Sequence, residues 1–385
     1  MQMPCSGCPG RLRQIFGPRV AGEQSRVLKN RFVVVLLGLL VTGCITQPEA
    51  DMLGTSSVQV SPTEISGNHS IFVATTRDFA KNTGKVFDNS RSSVLNFARV
   101  NVTVPKIHKT GQIERHKPGK PDDPLQFFTA TDVVAYETQP DFSNALSADI
   151  AARGGRAMIF IHGYNTAFDD AVYRATQIAH DSNYGGTPVL FSWASGGSST
   201  DYVYDRESAS VARDQLEVTL RVLAQSGARR IDIVAHSMGT WVTMEALRQL
   251  AIRGDRDLGG KLGDVVLASP DIDVDVFKSQ MRQYGKPKKP FFLLLSNDDR
   301  ALRLSGILAG NKPRLGDYKN AADLADYGVV VVDLSKAKGA DSFNHTKFAD
   351  NPEMVKLLGQ RLREDDGFAS DRVVTDRINM LLKGS

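Results

Sequence analysis

Cysteine is almost absent from this chain, with three residues in 385. Cys5 and Cys8 form a CxxC pair, but they precede a basic and apolar stretch that predicts a leader peptide, so we set them aside with it. Cys44 is then the one cysteine of the mature chain, which excludes an internal disulfide. The chain also lacks an HExxH motif, a second CxxC, a Walker loop and a GxGxxG after its first strand. We therefore expect no metal, nucleotide or nicotinamide cofactor.

A strong net charge is also missing from most of the chain. The formal charge is +4, but six of the 47 Lys and Arg residues and only one of the 43 Asp and Glu residues lie within residues 1–43. The rest of the chain is therefore nearly neutral, which argues against a broad nucleic-acid surface.

The N-terminal segment explains this asymmetry. Lys29 and Arg31 directly precede the stretch "FVVVLLGLLVTGC", residues 32–44. Its apolar run is about ten residues long, too short to span a bilayer and typical of a secretory signal. The ending "VTGC" resembles the bacterial lipobox, which implies that Cys44 is acylated and that the protein is anchored in the cell envelope. Since no Asp follows Cys44, the resemblance implies the periplasmic side of the outer membrane. The alternative is a plain signal peptide with an incidental cysteine.

We therefore divide the chain into three parts. Residues 1–43 are a signal peptide whose length leaves the true start of translation open. The polar residues 44–68 are a flexible tether. Residues 69–385 form one folded domain, with N-terminal strands in 69–150 and a core in 151–360.

Eight strand-like runs recur along this domain, and the last six are almost continuously apolar. Such runs are typical of strands buried on both faces of a mainly parallel sheet. The second run alternates, which predicts a half-exposed antiparallel edge strand, and residues 123–137 could add a further strand. The runs are 70–76, 98–105, 156–163, 187–194, 230–237, 263–270, 290–296 and 328–335. Helical periodicity appears at 167–182, 206–227 and 238–254. Together they predict a doubly wound, mostly parallel, eight-stranded sheet, which is the plan of the α/β-hydrolase fold.

Ser237 stands at the end of one such strand, in "IDIVAHSMGTW". A nucleophile elbow needs small residues two positions before and after the serine, since strand and helix approach closely there. Gly239 meets this requirement, and Ala235 stands where glycine is usual. The alternative is that Ser237 only caps the following helix.

Together, "IFIHGYN", "LFSWASGG", "IVAHSMG", "ASPDIDVDVF" and "NDDRALRLS" resemble a bacterial family of esterase/lipase-like α/β-hydrolases with no assigned substrate. The resemblance covers roughly residues 70–360. It implies a Ser-acid-His triad and gives almost no information about the substrate.

The order of residues in this fold, nucleophile then acid then histidine, selects the partners of Ser237. His345 is the only histidine downstream. Asp299 is the preferred acid, after the seventh run, with Asp298 and Asp271 as alternatives. His236 is excluded because side chains of adjacent strand residues point apart.

The oxyanion hole is expected from the backbone N–H groups of Met238 and Tyr164. The loop that presents the second donor begins at His162 and Gly163, where glycine lets the backbone turn.

The sequence thus predicts a serine hydrolase acting on a carboxylic ester or lipid. An amidase, thioesterase or acyltransferase would use the same triad, and a non-catalytic lipid-anchored interaction protein would keep only the scaffold. The oligomeric state is left open.

Overall fold

A computed structural model of the chain describes residues 55–81, 86–116 and 123–363. Residues 1–43, predicted as a signal peptide, and Cys44 lie outside the described residues. The strands are β1 (Ile65–Phe79), β2 (Phe87–Pro105), β3 (Thr129–Tyr136), β4 (Arg156–Ile161), β5 (Thr187–Ser192), β6 (Arg230–His236), β7 (Leu262–Ala268), β8 (Phe291–Leu295) and β9 (Val329–Asp333). The helices are α1 (Gln139–Ala152), α2 (Phe168–Asp181), α3 (Tyr202–Gln225), α4 (Met238–Ile252), α5 (Val274–Tyr284), α6 (Arg300–Leu308), α7 (Lys347–Asp350) and α8 (Pro352–Arg363), with 3₁₀ turns at Leu315–Asp317 and Ala321–Tyr327. Of these helices, none is both long enough and apolar enough to cross a membrane.

The strands form one sheet in the order β3-β2-β1-β5-β4-β6-β7-β8-β9. Pairing is antiparallel between β1 and β2 and between β2 and β3, and parallel in every other described pair. Because β2 alone runs against the rest of the described sheet, the carboxyl ends of β4 to β9 meet at one edge. Ligands of open α/β sheets bind at that edge.

The predicted fold class is confirmed, with nine described strands instead of eight. The additional strand is β3, which lies within the segment 123–137 and pairs along β2 from Phe97↔Tyr136 to Thr103↔Thr129. The second run is therefore not the edge strand that its alternation predicted. The polar side chains of β2 are partly exposed, although the strand is hydrogen-bonded to a neighbour on each side.

One boundary also differs from the sequence prediction. β1 begins at Ile65, inside the segment 44–68 predicted as a tether, and Asn68 already pairs with Thr103 of β2. Polar residues here extend a long antiparallel pair instead of forming a linker, since backbone pairing does not require apolar side chains.

Helices cover both faces of the sheet. Along β4, Ile159 and Ile161 belong to one apolar core, while Met158 and Phe160 belong to the other. Helices α1, α3, α4 and α5 supply buried side chains to the first core, and α2 and α8 supply them to the second. This two-sided burial explains the continuous apolar runs of the central strands.

Candidate active site

Ser237 occupies a sharp turn between β6 and α4. Its backbone has φ 52° and ψ −123°, a conformation that costs a residue with a Cβ about 1–3 kcal/mol. The Ser237 N–H donates to Ala268 O at 2.9 Å, and Ser237 O accepts from the Asp271 N–H at 3.2 Å. The Ser237 side chain makes no capping hydrogen bond to α4. Helix capping therefore does not account for a serine at this position.

Two glycines allow the turn to pack this closely. A Cβ on Gly239 would lie 2.3 Å from His162 O and 2.6 Å from Ile161 O. A Cβ on Gly163 would lie 2.8 Å from Ser237 Cβ. Since the first clash is with backbone atoms, only glycine fits at position 239 without moving β4 or α4.

Ala235 stands where glycine is usual, and its methyl group is accommodated. The residue is completely buried and pairs with Ile161 on one side and Leu267 on the other. The pairing of β6 with β4 is regular through Ala235. The departure from the usual elbow pattern therefore leaves strand pairing intact.

His345 contacts Asp299, which follows β8. His345 Nδ1 lies 2.7 Å from Asp299 Oδ2, and Asp299 is completely buried. Asp299 Oδ1 accepts from the Leu302 N–H at 3.0 Å, as the N-cap of α6. Because a carboxylate only accepts, Nδ1 of His345 carries a proton and Nε2 faces away from the acid. Burial lowers the pKa of His345, but the charge and hydrogen bond of Asp299 outweigh burial and raise the pKa above its ordinary value of 6.5.

The His345 loop lies against the elbow. His236 Nε2 and Ser269 Oγ donate to His345 O at 3.2 and 3.0 Å. The His236 and His345 rings have centroids 4.6 Å apart. Burial holds the pKa of His236 well below 6.5, so His236 is a neutral donor to the backbone of the loop. The His236 side chain therefore stabilises the backbone of the His345 loop. This role agrees with the exclusion of His236 as the base.

Asp298 and Asp299 contact different partners. Asp298 accepts from the buried ammonium of Lys347 at 2.7 and 2.9 Å and from Asn344 Nδ2 at 3.0 Å. Asp298 thus contacts Asn344 and Lys347, which lie on either side of His345 in the sequence. Asp299 contacts the imidazole itself. Within the loop, Asp341 accepts from the His345 N–H at 2.9 Å.

Asp271, the third candidate for the triad acid, forms an ion pair with Arg314. Arg314 Nε donates to its carboxylate at 2.5 Å, and Ser305 Oγ donates at 2.8 Å. Tyr202 donates to the second oxygen at 3.3 Å. This buried cluster joins the loop after β7 to α6 and to the segment before the first 3₁₀ turn, and His345 is not part of it.

The loop after β4 approaches the elbow from the other side. His162 is buried and stacks on Trp193 with ring centroids 5.0 Å apart, and its Nδ1 donates to Gly163 O at 2.9 Å. Burial lowers the pKa of His162 to about 3, so this ring is a neutral structural element. Tyr164 is partly buried, with its hydroxyl donating to Ser199 O. The Met238 N–H, in the first turn of α4, donates to no group among the residues that the structure describes.

A sequence-family match decides the classification. Residues 137–361, more than half of the chain, match the family described as alpha/beta hydrolase of unknown function, DUF900. The chain belongs to this family. The matched segment of this α/β hydrolase begins just after β3 and includes the elbow, the Asp299 helix and the His345 loop.

Solved structures show more distant likenesses. Aspergillus fumigatus lipase B is 13% identical over 64% of this hydrolase and 62% of its own chain, with a TM-score of 0.41, so the alignment spans less than two thirds of that lipase. A Pyrococcus furiosus esterase is 11% identical over 82% of this chain and 98% of its own, with a TM-score of 0.35. A Pyrobaculum calidifontis esterase is 13% identical over 78% and 86%, with a TM-score of 0.33. No curated protein matches the sequence.

Two buried charges of this α/β hydrolase were not anticipated from the sequence. Arg77, completely buried on β1, donates to Ser192 Oγ at 2.9 Å, to Thr166 O at 2.6 Å and to Ser195 O at 3.1 Å. Burial lowers the pKa of Arg77 to about 10, so the guanidinium stays charged at neutral pH. Arg77 therefore holds the loops after β4 and β5 together.

Asp205, buried on α3, supports the same loops from the opposite side. Its carboxylate accepts from the Asn165 N–H at 3.0 Å, from Ser195 Oγ at 2.6 Å and from the Gly196 N–H at 2.7 Å. Asn165 has φ 52°, a turn that this hydrogen bond stabilises. A charged residue on an amphipathic helix is ordinarily solvated, so only the three-dimensional contacts distinguish Asp205 from the surface acids of α3.

Proposed function

We propose that this α/β hydrolase is a serine hydrolase that cleaves carboxylic esters, with Ser237 as nucleophile, His345 as general base and Asp299 as the acid that orients His345. The observation that carries the proposal is the His345–Asp299 contact of 2.7 Å on a loop packed against the Ser237 elbow. The elbow supports a nucleophile because its serine is strained, buried and not used as a helix cap.

The first half-reaction follows from the tautomer of His345. With Nδ1 donating to Asp299, Nε2 accepts the proton of Ser237 Oγ as the oxygen attacks the ester carbonyl. The new oxyanion accepts from the Met238 and Tyr164 N–H groups. Collapse of the tetrahedral intermediate breaks the carbon–oxygen bond, and His345 returns its proton to the leaving alcohol.

Hydrolysis of the acyl-enzyme repeats these roles. His345 removes a proton from water, the resulting oxygen attacks the acyl carbon, and the carboxylic acid leaves as His345 reprotonates Ser237 Oγ. Asp299 stays ionised throughout and stabilises the imidazolium. Gly163 and the hydrogen bond between Asn165 and Asp205 hold the loop after β4 in one conformation. An oxyanion hole requires N–H donors that are held in place in this way.

A comparison of two histidine variants on a short-chain nitrophenyl ester tests this assignment. His345→Ala removes the base, so kcat should fall by about 10⁶. His236→Ala removes only one of two donors to His345 O, so kcat should fall by no more than about tenfold. A larger loss in His236→Ala than in His345→Ala would overturn the assignment of the base.

We further propose that the protein is anchored through acylated Cys44 in the bacterial outer membrane, facing the periplasm. The support is the apolar run ending in "VTGC" at residues 32–44. Three acyl chains give stable anchoring, since each buried methylene contributes about 0.8 kcal/mol. An ester or lipid substrate near the bilayer is consistent with that location.

A further inference from the structure

A second cluster of chemically active side chains lies at the opposite edge of the sheet from Ser237. It contains His69 near the start of β1, His108 and Glu114 in the segment after β2, and His180 and Asp181 at the end of α2. Since α2 has 14 residues, its length of about 21 Å separates this cluster from the loop after β4. The hydrolytic mechanism uses none of these groups.

The nitrogen and oxygen atoms of the cluster converge. His108, His180 and Asp181 each offer one ligand atom, and these atoms lie within 4.8 Å of one another. His69 Nε2 lies 3.1 Å from His180 Nδ1 and contacts the group through that ring. His108 Nε2 and Asp181 Oδ1 are 2.7 Å apart.

Two of the three candidate ligands make further hydrogen bonds that orient them. His108 Nδ1 lies 2.8 Å from Glu114 Oε2. Asp181 Oδ2 accepts from the Gly111 N–H at 2.8 Å and from Gln177 Nε2 at 2.6 Å. Metal-binding histidines ordinarily have such a carboxylate on the second ring nitrogen, and metal-binding carboxylates are hydrogen-bonded in the same way.

Gly67 keeps the space between two of the rings open. A Cβ at this position would lie 2.9 Å from His180 Nδ1 and 3.1 Å from His69 Nε2. Any other residue at position 67 would direct its side chain between those two nitrogen atoms.

We propose that His108, His180 and Asp181 bind one Zn²⁺ ion, with a water molecule as the fourth ligand. Two imidazoles and one carboxylate match the nitrogen and oxygen ligation of zinc, whereas Mg²⁺ and Ca²⁺ prefer oxygen ligands. Tetrahedral Zn–N bonds of about 2.0–2.1 Å separate neighbouring ligand atoms by roughly 3.3 Å, which small side-chain movements can reach from the 4.8 Å limit within which the three ligand atoms lie.

Zinc bound here would connect the segment after β2 to the end of α2. The ligands span residues 108 to 181, which explains why no contiguous metal motif appears in the sequence. The proposal departs from the expectation that the chain binds no metal. It does not depend on the proposed hydrolase activity.

Zinc binding to the purified, chelator-treated full chain tests the proposal. Equilibrium dialysis with Zn²⁺ should give one ion per chain, and Co²⁺ should give the visible absorption of a tetrahedral site. His180→Gln should weaken Zn²⁺ binding at least 100-fold. His116→Gln is the matched control, because His116 lies outside the cluster with its ring near Phe127, and it should bind like the wild type.

Two further measurements keep the test decisive. Circular dichroism establishes that His180→Gln is folded, and His108→Gln replaces it if it is not. Ser237→Ala should bind Zn²⁺ like the wild type, which separates this site from the hydrolase proposal. No Zn²⁺ binding by the wild type, or equal binding by the wild type and a folded cluster variant, would overturn the proposal.

Discussion

At the scale of single residues, the backbone of Ser237 sets the geometry of the site. The positive φ of this serine is maintained by hydrogen bonds from Ser237 N–H to Ala268 O and from Asp271 N–H to Ser237 O. Such strain persists only where the surrounding structure enforces it. The neighbouring strand and loop therefore hold the hydroxyl of Ser237 at the edge where the carboxyl ends of the strands meet.

Removing the Cβ of Ser237 should release this strain. We expect Ser237→Gly to be more stable than Ser237→Ala by about 1–2 kcal/mol, since glycine adopts positive φ freely while alanine keeps the strain. Urea unfolding of the two inactive variants measures the difference. An alanine variant as stable as the glycine variant would show that the turn is not strained.

The pKa of His345 predicts how activity depends on pH. Because its pKa lies above 6.5, kcat/KM should fall as pH drops through a midpoint above 6.5, where His345 becomes protonated. The pair has the opposite effect on stability. A raised folded-state pKa contributes stability that is complete below 6.5 and is lost as pH rises through the folded-state value.

Adjacent aspartates provide a matched test of this effect. Asp299→Asn removes the charge that raises the pKa of His345, so kcat should fall by about 10⁴ and the acid limb should move to lower pH. Asp298→Asn should leave the acid limb in place, because Asp298 contacts Lys347 and Asn344 instead of the imidazole. A shift of the limb in Asp298→Asn alone would reverse the roles of the two acids.

At the scale of elements, the elbow depends on the close approach of α4 to β4. We expect Gly239→Ala to cost about 2–3 kcal/mol, in the range of an overpacked core, because its Cβ would clash with the Ile161 and His162 carbonyls. Gly185→Ala is the control, since a Cβ there meets nothing within 4 Å. Thermal unfolding of both variants tests this, and equal unfolding temperatures would contradict it.

The strands were largely predictable from sequence, because central parallel strands are apolar on both faces. Runs such as 187–194 and 328–335 correspond to β5 and β9 within a few residues. The short helix α6 was not predicted as a helix. Its nine residues give too few turns for a clear period, although its N-cap Asp299 was identified from its place after a strand.

The position of β3 could not be derived from local pattern. Whether β2 has a second neighbouring strand depends on whether the chain after β2 returns to pair with it. The alternation of residues along β2 is the same with or without that neighbour. Arg77 and Asp205 were missed for a related reason. Their buried partners come from distant segments, such as Thr166 for Arg77 and Gly196 for Asp205.

At the scale of the whole molecule, the proposed lipid anchor is separable from the hydrolase fold. We expect Cys44→Ser to move the protein from the membrane fraction to the soluble fraction and to leave kcat on a soluble ester unchanged, since Cys44 precedes the first strand of the sheet, which begins at Ile65. Fractionation and intact-mass measurement of the mature protein check this. Membrane retention of Cys44→Ser with an unchanged mass would contradict acylation at this residue.

The candidate hydrolase site and the proposed zinc site lie at opposite edges of one sheet. The first is assembled at carboxyl ends of strands, where loops after β4, β6, β8 and β9 meet. The second would join the segment after β2 to the end of α2. We therefore expect a change at one edge to leave the other folded.

Labelling with a fluorophosphonate probe tests the central claim, that Ser237 is an activated nucleophile, most directly. Peptide mass spectrometry of the folded protein should locate one covalent adduct on Ser237. Labelling should be absent in Ser237→Ala and slowed by several orders of magnitude in His345→Ala. A folded wild-type protein that forms no adduct, or forms it on another residue, would contradict the account.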